Sequence, residues 1–195
     1  MSNSGQSLRK LNILHTSSYL FNKYGFHNIG IDRITESARV SKSTFYFNFQ
    51  SKEKLIEMCL IFQKDELKDK VFSIVHSCCE LKVIDNLKKI FFLHVDLEGF
   101  YHLQFKAIFE IEKLYPTAYK VVSDYRNWLI KEIYKLLLML KFTATVEDAY
   151  IFLFVIDGAM MQLLESNKTL EKEEWLDCFL AGFINSGDNL KEFDL

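Results

Sequence analysis

IDRITESARVSKSTFYFNF, residues 31–49, holds two short segments of helical periodicity separated by a break. Ile31, Ile34 and Ala38 share one helical face. Arg39, Val40 and Ser41 then interrupt the pattern, and Ser41 stands where its hydroxyl can accept a bond from a first-turn amide of a helix running from Lys42 to about Asn48. Two short helices joined by a three-residue turn, with a buried face of Ile31, Ile34, Ala38, Val40 and Phe45, have the dimensions of a helix-turn-helix. The second helix keeps a polar stripe. Lys42, Ser43, Thr44 and Asn48 offer donors and acceptors for phosphates and base edges, and Tyr46 suits a sugar, a phosphate or a thymine methyl. Phe49 is better read as a core aromatic, and Ser41 and Ser51 as caps.

Outward from this stretch the chain reads as helices. Upstream, Ile13, Leu14, Ser17, Leu20, Phe21 and Tyr24 follow one helical face, and Gly25 stands where a left-handed C-terminal cap is wanted. Gly30 is a tolerable N-cap for the helix at Ile31. Downstream, Ser51 repeats the capping arrangement for a long helix from Lys52 past Leu55, Cys59, Phe62 and Leu67 toward Val75, with Glu53 in its first turn. Further helices are expected over roughly 84–97, 103–115, 117–140, 146–166 and 172–186. Pro116, the single proline, separates two of them. No strand-period segment or internal repeat stands out, so the expected fold is all-α: an N-terminal three-helix DNA-binding domain over 1–52 and a C-terminal helical bundle over 53–195.

Composition supports this division. With 18 Phe, 9 Tyr, 7 Gly and 1 Pro in 195 residues, long helices are favoured over a turn-dense β architecture. The net charge of −2 conceals an asymmetry: residues 1–55 carry eight Lys/Arg against three Asp/Glu, so the remainder is acidic. A basic end facing a polyanion follows from that distribution, which chance scatter of solvated charges also permits. The four cysteines, Cys59, Cys78, Cys79 and Cys178, lack the density of a disulfide framework and suit a reducing compartment. The first ten residues lack an apolar signal region, and the apolar run 149–164 is too short to span a bilayer, so a cytoplasmic protein without a membrane partner is expected.

Other chemistries find little support. His76 with Cys78 and Cys79 offers soft-metal ligand types without a second ligand pair at a recognised spacing, so no metal or other cofactor is expected. Asp96 with Glu98, and Glu110 with Glu112, are two residues apart, which a helix separates; paired-carboxylate catalysis is not indicated. No glycine-rich phosphate loop or nucleophile elbow is present. An enzyme is not expected.

The set Ile13-Leu14, Leu20-Phe21, Gly25-Phe26, Ile31, Ile34, Ala38, Val40-Ser41, Thr44-Phe45-Tyr46, Phe49, Ser51-Lys52-Glu53 and Leu55 resembles the N-terminal signature of the tetracycline-repressor (TetR) family. The resemblance covers about 45 residues and implies a regulator that binds double-stranded operator DNA as a homodimer. It places Lys42, Ser43, Thr44, Tyr46 and Asn48 on the recognition helix. Lys52 would hold a phosphate at the start of the next helix, with a solvated first-turn lysine as the alternative. This chain departs from the family at four places. Ile29 and Gly30 replace frequent hydroxyl residues, Asn48 stands where histidine is common, and Arg39 replaces a turn glycine. Arg39 in a left-handed conformation costs about 1 kcal/mol, while its charge can reach DNA.

The resemblance also implies that the last two long helices pair with their copies in a four-helix interface. Residues 150–164 are apolar nearly all round, which suits a partner-covered helix, although an internal core explains them as well. An effector pocket is expected in the body, lined by His94, Phe105, Phe109, Tyr125, Trp128, Phe152 and Ile156, with Phe100, Tyr101, His102, Glu110 and Arg126 as further candidates. Such a lining suits a small hydrophobic or aromatic effector. The rival readings are a DNA-bound architectural or interaction protein without an effector, and a helical enzyme or carrier without DNA affinity.

Overall fold

The computed structural model describes residues 3–76, 83–166 and 172–185, and every regular element among them is an α-helix. In chain order these are α1 (Asn3–Tyr24), α2 (Ile31–Ser37), α3 (Lys42–Phe49), α4 (Lys52–Val75), α5 (Val83–His94), α6 (Tyr101–Glu110), α7 (Pro116–Leu140), α8 (Val146–Ser166) and α9 (Lys172–Asn185). The expected all-helical fold is therefore observed. None of these helices is long and apolar enough to cross a membrane.

The ends are set by local chemistry. Gly25 closes α1 with φ 82, its amide donating to the Phe21 carbonyl at 2.9 Å. Ser41 caps α3 by accepting from the Thr44 amide at 3.1 Å, and Ser51 caps α4 by accepting from the Lys54 amide at 3.0 Å. At the start of α8 the Thr145 amide donates to Asp148 Oδ2 at 2.7 Å, the return half of a capping box. Three boundaries differ from expectation, among them the end of α6, which stops at Glu110 before a turn in which the Leu114 and Tyr115 amides donate to the Ile111 carbonyl at 3.2 and 2.8 Å. α1 begins ten residues before Ile13, where the exposed Leu8 and Leu11 leave no buried stripe to read. α5 stops at His94 because Asp96 organises a turn, accepting the Glu98 amide on Oδ1 at 3.0 Å and the Gly99 amide on its carbonyl at 3.2 Å.

Two compact units emerge. The first comprises Met1–Leu67 with His102–Asp124, and the second Lys68–Tyr101 with Tyr125–Leu195. The first unit closes around Ile13, Phe21, Phe26, Ile34, Phe45, Phe49, Leu55 and Cys59, joined by Leu103 and Ala107 of α6 and by Ile111 just beyond it. Phe21 stacks on Phe26 at 5.1 Å between ring centroids. Burying one such ring contributes on the order of 2–3 kcal/mol, so this small unit relies on its aromatics. The second unit buries Leu87, Ile90 and Phe91 of α5, Leu129, Ile133 and Leu137 of α7, and Phe152, Ile156 and Met160 of α8. Cys78 and Cys79 lie outside the described residues.

Candidate nucleic-acid interface

In the first unit α2 and α3 form the helix and following helix that the sequence demands. Phe45 and Phe49, one turn apart, point into the core together. Residues 46 and 47 must then face outward, and Tyr46 is 49% and Phe47 71% exposed. The turn between the helices is pinned from α1, where Asn12 Nδ2 donates to the Ala38 carbonyl at 2.9 Å. Within that turn Arg39 has φ 55, the left-handed conformation the missing glycine would have supplied freely.

Each expected DNA residue can now be located. Lys42 is exposed and forms an ion pair with Asp32 of α2 at 2.8 Å, which holds its pKa above the ordinary lysine value. Contact with a phosphate requires Lys42 to exchange one anion for another, at little cost because both groups are solvated. Ser43 and Thr44 share the Ser41 hydroxyl at 2.8 and 2.9 Å, which fixes the first turn of α3. Asn48 donates to the Thr44 carbonyl at 2.7 Å, so part of its hydrogen-bonding capacity is spent within the helix. Lys52, at the start of α4, is partly buried, and that desolvation lowers its pKa. Ile29 is fully buried, which explains its place ahead of α2: it and Ile34 occupy the N′ and N4 positions of a hydrophobic staple in one core.

Two residues are added by the structure. Arg9 of α1 borders a recess of about 360 Å³ together with Ser43, Thr44, Phe47 and Asn48. It brings a guanidinium to the open side of the recognition helix, and Phe47 supplies an apolar surface suited to a thymine methyl. Phe47 was legible in principle, since a buried pair at 45 and 49 forces 47 outward. Arg9 carried no local signal beyond its charge.

The seven expected pocket residues divide between the units. Phe105 is buried and Phe109 is 66% exposed in the first, their rings 5.3 Å apart. His94, Tyr125, Trp128, Phe152 and Ile156 belong to the second. There His94 Nδ1 donates to the Ile90 carbonyl at 2.6 Å, so the neutral ring accepts the Tyr125 hydroxyl on Nε2, also at 2.6 Å. Burial drives the His94 pKa down to about 4. Phe152 packs edge-on against Phe179 at 5.4 Å. Beside His94, Tyr101 joins Arg126 and Asp157, two residues whose partnership no sequence pattern announced. Glu110 is used within the first unit, where it accepts the Phe26 amide at 2.7 Å.

The fold and the outward face of α3 define a helix-turn-helix DNA-binding regulator. Residues 13–59 match the family model described as bacterial regulatory proteins, tetR family. The match covers the helix-turn-helix domain, and the chain as a whole shares its fold with solved TetR-family regulators. No curated protein matches the chain by sequence. Among solved structures it is similar to reduced NemR of E. coli, with 19% identity over 91% of this chain and 96% of that one at a TM-score of 0.74. It is also similar to a TetR regulator from Legionella pneumophila, with 15% identity over 96% and 97% of the two chains and a TM-score of 0.72. AibR, solved with isovaleryl coenzyme A and operator DNA, has 16% identity over 90% and 97% of the two chains and a TM-score of 0.70.

Proposed function

We propose that the protein is a cytoplasmic, ligand-responsive repressor that binds a palindromic operator as a homodimer. In this reading residues 1–52 recognise DNA, while residues 53–195 bind a small hydrophobic or aromatic effector and dimerise. The observation that carries the DNA reading is the outer face of α3, where Lys42, Ser43, Thr44, Tyr46 and Phe47 are presented on a helix fixed from behind by Phe45 and Phe49. Arg39, Asn48 and Lys52 flank that face, and Arg9 borders it.

Dimerisation is supported by the outer stripe of α8. Tyr150, Ile151, Phe154, Met161 and Leu164 recur at helical spacing and are all exposed in the single chain. On α9 the exposed Trp175 and Ile184 continue the apolar character, and Gly182 leaves room for close approach. A two-fold pair presents two recognition helices to half-sites about one helical turn or more apart. The likeness to AibR, seen with both an acyl-coenzyme A and operator DNA, supports coupling between a body ligand and DNA. Such coupling requires different ligand affinities in the DNA-bound and released states.

The test is binding to the DNA immediately upstream of the protein's own gene. Affinity should fall steeply with salt, and Tyr46→Ala and Lys42→Ala should each weaken binding while the circular-dichroism melting curve stays cooperative. Undiminished affinity in the double variant would remove α3 from the interface. DNA affinity unchanged by every small molecule tried would favour an architectural role.

A further inference from the structure

Arg126 of α7 is committed on one edge and open on another. Its Nη1 donates to Asp157 Oδ1 at 2.9 Å and to the Tyr101 hydroxyl at 2.5 Å, and its Nη2 donates to Asp157 Oδ2 at 2.6 Å. A guanidinium has five N–H groups, so two remain. They are Nε–H and the second Nη2–H, which lie parallel and form the side-on fork of the group. Neither has a partner among the described residues. The ion pair is not sealed inside the unit: the Arg126 and Asp157 side chains are 19% and 22% exposed, although Tyr101 is wholly buried.

The surroundings are aromatic, and a second cation, Lys68, lies over the Trp128 ring, its Nζ 4.8 Å from the centroid. Tyr101 lies 4.8 Å from the His94 ring and 6.2 Å from Tyr125, which lies 5.8 Å from Trp128. His94 is a neutral ring in this arrangement, spent on Ile90 and Tyr125. A ligand at the open edge meets a planar two-donor fork backed by the buried rings of Tyr101, His94 and Tyr125, and such a fork is the complement of a carboxylate. An ammonium ligand fits less well: the Asp157 oxygens already accept three hydrogen bonds, and the guanidinium repels a second cation.

We infer that Arg126 anchors a carboxylate-bearing ligand through its Nε–Nη2 edge, with Asp157 holding the opposite edge in place. The assignment rests on the ligand-responsive reading and names the class of its effector. It makes Asp157 a positioning residue with an opposing effect, since its charge orients the fork and also repels the incoming carboxylate.

The experiment uses the full chain carrying Trp175→Phe, so that Trp128, the other of two tryptophans, reports alone. Benzoate and octanoate are titrated at millimolar concentrations against benzylamine and octan-1-ol, following Trp128 emission and the melting temperature. The carboxylates should shift both saturably, and the amine and alcohol should not. Arg126→Lys keeps a cation opposite Asp157 and loses the fork, so carboxylate affinity should fall by about tenfold or more. Asp157→Asn should move the other way and tighten carboxylate binding by several-fold. A bridge that only supports the fold predicts loss of stability in both variants and no gain in either. Absence of carboxylate binding in both the Trp175→Phe protein and its Asp157→Asn derivative, equal affinity in Arg126→Lys, or preference for the amine would overturn the assignment. Should Arg126→Lys fail to fold, the sign of the Asp157→Asn effect decides. Carboxylate bound without change in operator affinity would defeat the ligand-responsive reading and leave the anchor standing; operator binding with no carboxylate uptake would do the reverse.

Discussion

Arg39 shows how one residue can be set against stability and toward function. Its φ of 55 costs an L side chain about 1 kcal/mol that glycine would not incur. Arg39→Gly should therefore raise the melting temperature by about 2–4 °C, measured by calorimetry at fixed protein concentration. The same change removes a cation beside the recognition helix, so operator affinity should fall and the salt slope should shrink by about one. A stabilised variant with unchanged affinity and slope would show that Arg39 does not meet DNA. His94 makes a second prediction, in pH. Its folded pKa of about 4 lies below the ordinary 6.5, so between these values the unfolded chain binds the proton and the folded chain does not. Stability from this group is whole above pH 6.5 and is lost as pH falls toward 4, at about 1 kcal/mol per pH unit. His94→Gln should flatten this part of the stability profile in urea titrations at pH 4.5, 5.5 and 7, and an unaltered slope would contradict it.

At the scale of elements, α6 holds the end of α1 by two side chains one turn apart. Lys106 Nζ donates to the Asn22 carbonyl, and Glu110 Oε2 accepts the Phe26 amide at 2.7 Å. His27 Nε2 donates in return to the Glu110 carbonyl at 2.7 Å. Glu110→Ala leaves a partly buried amide without its acceptor and should cost about 1–3 kcal/mol in urea denaturation. Gly25→Ala should also destabilise, because φ is 82 and the new Cβ would come 2.9 Å from the Glu110 carboxylate. Adding Glu110→Ala should relieve the collision and leave the backbone strain, so the double variant should lose less than the sum of the two single losses. Additive losses would mean that the carboxylate moves aside freely. This clamp also marks the limit of what the sequence disclosed. Helix ends were legible wherever one residue carries the stop or the cap, as Gly25, Ser41 and Ser51 do. The helix-turn-helix scaffold was legible because its buried face repeats locally. Pairings across long separations, such as Glu110 with Phe26, Arg126 with Asp157, or Arg9 with α3, have no periodic trace, since each depends on where separate helices come to rest.

At the scale of the whole molecule, the proposed mechanism needs two copies, because one recognition helix reads only one half-site. The apolar stripe of α8 is the surface on which that requirement falls. Phe154, 62% exposed in the single chain, stands on this stripe with Ile151 and Met161. Burying a side chain of this size contributes about 1.5–3 kcal/mol, and a symmetric interface counts each contribution twice. Phe154→Glu replaces that gain with two carboxylates brought out of water, while leaving the buried face of α8, with Phe152, Ile156 and Met160, untouched. Sedimentation velocity should show the parent chain as a dimer and the variant shifted to monomer at micromolar concentration, with the helical circular-dichroism signal retained. Operator affinity should fall with dimerisation, and a DNA duplex carrying a single half-site should bind both proteins weakly and alike. If the variant stays dimeric, α8 is not the interface. If it becomes monomeric and still binds the full operator as tightly as the parent, the two recognition helices do not act together, and the palindromic reading fails with them.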